Sequence, residues 1–232
     1  MQFILDNLVA LIVAGVLLMG LQVTQVRSQH ASIEQVASHS VKAKTLVFGE
    51  WVEDDVLNIG ANFGSNLYRF ESPVLDPDTG NTTNWVFYSD TTGTDGVTRR
   101  VFKQYRLVER GQSAFRDTTY QLYQVARDSA VVAYALDGTA PTLDEVEASD
   151  WVENTWSIGT LSFFNVDLLD RSGETPLDDA GEVDVYKVDF IRVRFGVVPE
   201  YVLKPDNYIR ELYWTKTLKV RPYWVPPPSL DS

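Results

Sequence analysis

The chain has no cysteine and only two histidines in its 232 residues. Without cysteine there is no disulfide, no thiol nucleophile and no thiolate metal ligand. His30 and His39 lie close to the N-terminus. On one helix their spacing is about 900° of rotation, which puts them on opposite sides and prevents them from sharing a metal ion. Beyond His39 there is no imidazole, so no Ser–His catalytic pair forms there. Positive charge is scarce as well: 20 Lys and Arg stand against 32 Asp and Glu, a formal net charge of −12. Phosphate backbones are bound by basic surfaces, which removes nucleic acid as a partner. A polybasic patch for lipid headgroups is removed by the same balance. The acidity fits a surface kept soluble by its own charge.

Proline is missing before Pro73, and the stretch it leaves free reads as one long helix. Residues 8–21 are an unbroken apolar run. That run alone is shorter than the roughly 20 residues a spanning helix needs. Residues 3–5 and the mixed stretch 22–26 extend it, with Asp6 and Asn7 near the start. Three readings are open: a cleaved signal peptide, a membrane anchor, and a helix that also packs against copies of itself. A signal peptide has a basic first region and an Ala-x-Ala cleavage site, whereas this chain opens Met-Gln-Phe-Ile-Leu-Asp.

The residues beyond the run favour the third reading. Val23, Val26, Ile33, Val36, Ala37, Val41, Ala43, Val47, Trp51, Val56 and Ile59 recur at helical spacing, with Arg27, Glu34, Lys42, Lys44 and Glu50 between them. This is an amphipathic helix in direct continuation of an apolar one. Gly60 suits the residue that ends it. At 1.5 Å per residue the whole helix measures about 85 Å, more than one globular core covers. The second half is expected to rest on the rest of the chain through Val47, Trp51, Val56 and Ile59. The first half needs lipid or sister helices. Asp6 sharpens this need, because an ionised carboxylate in apolar surroundings demands a partner. No basic residue precedes Arg27, so the nearest cation is an α-amino group, its own or a neighbour's. Placement at the headgroup level is the alternative.

From residue 67 onward the composition turns to Val, Tyr, Phe, Trp and Thr with turn clusters between runs. Strands are expected at 67–70, 85–88, 98–109, 120–126, 131–136, 160–169, 185–198 and 209–221. Two alternate clearly. Ile191, Val193, Phe195 and Val197 share one face of the first, opposite Val188, Phe190, Arg192 and Arg194. Leu212, Trp214, Leu218 and Val220 share one face of the second. Alternation with one polar side indicates an antiparallel sheet with a wet face, the other face taking the amphipathic half of the helix. Long acidic loops are expected at 72–84, 89–97, 137–150 and 170–184. The predicted fold is α+β: a long N-terminal helix over residues 1–60, a β-rich domain over 61–222, and a proline-rich tail over 223–232. The tail, Val225-Pro-Pro-Pro-Ser-Leu-Asp-Ser, lacks ladder donors and reads as extended, or as a strap onto a neighbour.

The segment Phe3-Ile-Leu-Asp-Asn-Leu-Val-Ala-Leu-Ile-Val-Ala-Gly-Val-Leu-Leu-Met-Gly-Leu resembles the N-terminal helix of type IV pilins and type II secretion pseudopilins. It is similar in particular to PilW-like minor pilins and J-type pseudopilins. Their helix tends to end in an apolar–acidic pattern running into Gly, as Leu46-Val-Phe-Gly-Glu-Trp-Val-Glu-Asp-Asp-Val-Leu-Asn-Ile-Gly60 does here, and their β domain closes with two long alternating strands. The resemblance implies a filament subunit with no enzymatic turnover. Phe3, Leu8, Leu11, Ile12, Gly15, Leu18 and Leu21 would pack in the filament core. Asp6, where the family usually has glutamate, would pair with a neighbour's N-terminal amine. Partners would be copies of the chain or other pilin-like subunits. The chain would sit in the cytoplasmic membrane before assembly and in an extracellular filament or periplasmic pseudopilus afterwards.

Other chemistry is thin. Asp76-Pro-Asp-Thr-Gly-Asn81 resembles the start of a calcium loop, with Asp76 and Asp78 as ligands, and otherwise reads as an ordinary Asp/Gly/Pro turn. It departs from the EF-hand pattern at the fifth and sixth positions and has Phe87 where the bidentate Glu belongs. No other cofactor is expected. Asp178, Asp179, Glu182 and Asp184 form an acidic loop; paired carboxylates also serve glycoside hydrolysis, but only at set separations. A membrane-tethered module that binds a polysaccharide or an envelope protein through exposed aromatics is the second functional reading.

Overall fold

The computed structural model describes residues 2–60, 69–115, 118–134, 141–153, 159–198 and 211–220. The protein is α+β: a long N-terminal helix, α1 (Gln2–Leu57), followed by an antiparallel seven-stranded sheet. The chain divides into two compact units, residues 1–40 and 41–232. Within the described residues the first unit is helix alone. The second holds the last part of α1 and the whole sheet.

The strands are β1 (Val74–Leu75), β2 (Thr82–Thr92), β3 (Thr98–Phe115), β4 (Thr118–Tyr134), β5 (Thr160–Leu169), β6 (Phe190–Val198) and β7 (Leu212–Lys219). They lie in chain order, each antiparallel to the next. Among the described residues β4 and β5 pair at Tyr123 and Leu161. The Val166 N–H donates to Thr82 Oγ1 at 2.9 Å, so the start of β2 also lies against β5 and the sheet curls.

The inner face of the curled sheet receives α1. Val41, Thr45, Phe48, Val52, Asp55 and Ile59 are buried, spaced three and four apart as one helix stripe requires, and Val56 is buried beside Asp55. Phe48 is the centre. Its ring lies 4.6 Å from Phe195, 6.2 Å from Phe164 and edge-on at 6.3 Å to Tyr105. Around it pack Trp85 and Phe87 of β2, Tyr123 and Val125 of β4, and Ile191, Val193 and Val197 of β6. The expected inward face of the penultimate run is thus the core face of β6. In β7, Leu218 is buried while Leu212 and Trp214 pack against the core from its edge; Val220, just past the strand, is buried too.

The helix register differs from the sequence expectation at one place. Val56 and Ile59 are buried and Trp51 is half-buried, but Val47 is 43% exposed and Ala43 is exposed. Phe48, one residue on, occupies the inward position because the larger ring fills the space between β3 and β6. Helical geometry ends at Leu57; Gly60 (φ +66°) then takes the left-handed conformation, and its N–H donates to the Tyr88 carbonyl at 2.9 Å.

Gly49 permits a close approach. A Cβ there would stand 2.5 Å from Trp214 Nε1, and Trp214 is itself stacked on Phe195 at 4.9 Å. Gly49→Ala gains about 1 kcal/mol of helix propensity. It also displaces the indole from its stack, an overpacking that costs about 1–3 kcal/mol. The expected net result is a loss of stability, read as a lower urea midpoint with an unchanged slope.

Several strands are longer than their apolar runs suggest. β2 begins at Thr82 and reaches Thr92, so the loop expected at 89–97 shrinks to a turn closed by Gly93 N–H to the Val97 carbonyl at 3.0 Å. β3 continues past Glu109 through a bulge between Glu109 and Gly111. The runs expected at 120–126 and 131–136 are one strand, β4, because Arg127, Asp128 and Ser129 between them stay paired to β3. In the run expected at 185–198, Val185–Lys187 is a 3-10 turn and only Phe190–Val198 is strand. Of the strand expected at 67–70, Phe70 makes an isolated bridge to Phe87, while residues 67 and 68 lie outside the described residues. Residues 135 and 136, 209 and 210, and the proline-rich tail also lie outside them.

The wet face is confined to half of the sheet. On β5–β7 the outer side carries Asp167, Arg192, Arg194, Tyr213, Thr215, Thr217 and Lys219. On β2–β4 it carries a second core: Val86, Tyr88, Phe102 and Ala130, covered by Leu143, Val146 and Trp151. The stretch from Pro141 to Asp150, expected as outer acidic loop, is therefore a cover. Arg100 holds it in place, donating to the Pro141 carbonyl at 2.9 Å while forking onto Asp90 at 3.0 and 3.2 Å. The stretch 170–184 folds as two like turns, Asp170-Arg-Ser-Gly-Glu174 and Asp178-Asp-Ala-Gly-Glu182. In each, the first Asp accepts from backbone N–H groups two and four residues on.

Candidate assembly interface

Every expected packing residue in the apolar half of α1 lies in the first unit. Phe3 is 78% exposed, and Leu8, Leu11, Ile12, Leu18 and Leu21 are all exposed. They stand on every side of the helix, with Val9, Val13, Val16 and Leu17 filling the gaps, so no turn about the axis hides them. Gly15 and Gly20 have no atom within 4 Å of where a Cβ would sit, so nothing within the chain calls for their smallness. Each fully buried Leu, Ile or Phe is worth about 1.5–3 kcal/mol, so leaving these six in water costs on the order of 10 kcal/mol. The helix is long and apolar enough to cross a membrane, as an anchor or a signal sequence is. Asp6 belongs to α1 by its backbone; its side chain lies outside the described residues.

The other end of α1 is fixed by charge as well as by packing. Asp55 is 1% exposed, in the last turn of the helix. Its carboxylate accepts from Lys103 Nζ at 2.5 Å, from the Tyr105 hydroxyl at 2.7 Å, and from Arg127 Nε and Nη2 at 2.7 Å each. Alternation along β3 puts Lys103 and Tyr105 on one face, and Arg127 stands opposite Tyr105 on β4. The Arg127 guanidinium also lies 6.0 Å from the Trp51 ring. Burial by itself pushes the Asp55 carboxyl up. The fork from Arg127, the charge of Lys103 and the Tyr105 hydroxyl outweigh it and hold the group below the ordinary carboxylate value. The same burial, with Asp55 alongside, pushes the Tyr105 hydroxyl well above its ordinary value. A second ion pair, Lys216 to Glu53 at 2.5 Å, joins α1 to β7. Sequence patterning does not single out Asp55, because it sits in an acidic triplet, Glu53-Asp54-Asp55, whose members look alike.

At the loop considered for calcium, Asp76 Oδ1 accepts from the Asp78 N–H at 2.8 Å and the Thr79 N–H at 3.3 Å. These amides hold the Asp76 carboxyl below its ordinary value. One oxygen of the candidate ligand is thus committed to the turn, and Gly80 (φ +69°) closes it. Among the described residues no three His, Cys, Asp or Glu side chains are gathered as a metal site would gather them. Compared with family models, curated proteins and solved structures, the chain matches none.

Proposed function

We propose that this chain is a structural subunit of a type IV pilus-like or pseudopilus filament. Residues 3–26 are held in a membrane before assembly and among sister helices afterwards. The observation that carries this reading is an apolar helix exposed on all sides in one unit, continuing into a helix locked to a sheet by packing and buried charge in the other. The function is association, with no chemical turnover. Asp6 pairs with a neighbour's N-terminal amine and sets the axial step between subunits. Asp6→Ala and Asp6→Lys are expected to reduce filament incorporation several-fold while circular dichroism of the sheet domain stays unchanged. Filaments of normal number and length from both variants would overturn the assignment.

A second reading, a membrane-tethered binding module, draws on the outer face of β5–β7. There the Phe163 and Tyr213 rings lie 5.8 Å apart, and Tyr213 is exposed. Along the same face Asp167 is held by Arg192 at 2.9 Å and Arg194 at 3.1 Å. Aromatic rings beside fixed polar forks suit a sugar ring. Electron microscopy of the native membrane fraction separates the two readings: filaments favour the first, dispersed particles the second.

A further inference from the structure

The apolar surface of the first unit does not stop where the anchor does. Val26 closes it, and Ile33 and Val36 lie among polar residues beyond it; each is half or more exposed, Ile33 at 60% and Val36 at 65%. They continue a line begun inside the anchor. Ile12, Met19, Val26 and Ile33 stand seven residues apart; three residues after each come Gly15, Gln22, Gln29 and Val36. Alternating steps of three and four average 3.5 residues, the period of a left-handed coiled coil. The outward positions nearby are polar or small: Arg27 and Glu34, Ser28 and Gln35, Ala31 and Ser38.

We propose that, in the membrane and before assembly, α1 pairs with α1 of a second copy of this chain as a parallel, in-register, two-stranded coiled coil, with Val26, Ile33 and Val36 each meeting its own counterpart. This rests on the reading of residues 3–26 as the membrane-held segment. Two copies entering a membrane from the same side are parallel and at equal depth. β-branched residues at Ile12, Val26 and Ile33 suit the first seam position of a two-stranded pair, and Gln22 and Gln29 at the second cost it stability. Gln22 and Gln29 fix the register: in step, each amide faces its own counterpart and both donate and accept. A slip of one heptad sets Gln29 against Val36. Gly15, which serves no contact within the chain, lies on this line and brings the two backbones close. Only two apolar layers, Ile33 and Val36, stand above the anchor, so the pair is weak in solution. The shared membrane raises the effective concentration and makes it form.

The absence of cysteine makes the test direct. Val26→Cys, Ile33→Cys and Val36→Cys lie on the line; Arg27→Cys, Glu34→Cys and Ser38→Cys lie off it. All six full-length variants are reconstituted in phosphatidylcholine vesicles and oxidised, and flotation of the same samples reports membrane association. The expected result is disulfide-linked dimer several-fold higher at the three seam positions than at the other three. Floated protein that cross-links evenly, on another side or not at all overturns the pairing and leaves the membrane reading intact. Seam cross-linking in protein that does not float supports the pairing and overturns the membrane reading. Absence of both overturns both.

Discussion

Asp55→Ala is expected to destabilise the sheet domain by about 3 kcal/mol, the low end for removing one partner of a buried ion pair. The low end applies because the positive partners are not sealed. Side chains of Arg127 and Lys103 are 35% and 20% exposed and reach water once the carboxylate is gone. Tyr105 has no such recourse; its hydroxyl lies in the core and loses its acceptor. Alanine returns about 0.5 kcal/mol of helix propensity, which does not offset these losses. Asp55→Asn keeps the shape but turns an amide donor toward guanidinium or ammonium donors, and is expected to cost nearly as much. A denaturant titration of the full chain in detergent, followed by tryptophan fluorescence, measures both. A double-mutant cycle with Arg127→Ala isolates the pair. A stability for Asp55→Ala within about 0.5 kcal/mol of wild type, the range of an ordinary surface substitution, would show that packing alone holds the helix.

The pH dependence of that difference has a definite sign. The folded carboxyl titrates below the ordinary value, so the unfolded chain takes up its proton first as pH falls. The stabilisation is complete above about pH 4, the ordinary carboxylate value, and disappears as pH drops through the lower folded value. Wild type and Asp55→Asn should therefore differ by a constant amount from about pH 8 to about pH 5 and converge only in acid.

Removal of residues 1–26 is expected to have the largest effect on assembly. It deletes every exposed residue of the apolar run and leaves the stripe from Val41 to Ile59 untouched. The shortened protein should stay soluble without detergent, unfold with an unchanged denaturant midpoint, and form no filaments under the microscope. The apolar surface at stake, on the order of 10 kcal/mol per chain, exceeds what most exposed polar contacts between sheet domains would supply. Filaments from the shortened protein would locate the assembly surface on the sheet domain and overturn the proposed role of the helix.

The range of each interaction decides how much of the fold and the site is legible in the sequence. The helix is legible because its signal is local: no proline, and apolar residues at its own period. β6 and the core face of β7 are legible because alternation is local too. The face that α1 turns inward is not, because Leu46-Val-Phe48 spreads three apolar residues over much of the helix circumference. Only the space left by Phe164 and Phe195 decides for Phe48. β4 reads as two strands in the sequence because Arg127 and Asp128 look like a break. Their partners, Asp55 and Arg106, stand far away in sequence and make those charges interior. The second core is hidden for a like reason: Leu143, Val146 and Trp151 are scattered among acids and carry no period of their own. The residues of the apolar run are a different case: their exposure is plain from the run itself.

The chain order of the sheet has a consequence for how the molecule is made. Strands that pair only with their sequence neighbours form progressively as the chain emerges. The inward stripe of α1, finished early, gains Phe195 and Trp214 only when β6 and β7 arrive at the end. Until then Phe48 and Val52 have half a core, and the glycine notch at Gly49 has no indole to receive. The step that completes folding is the docking of the last strands onto a helix already in place.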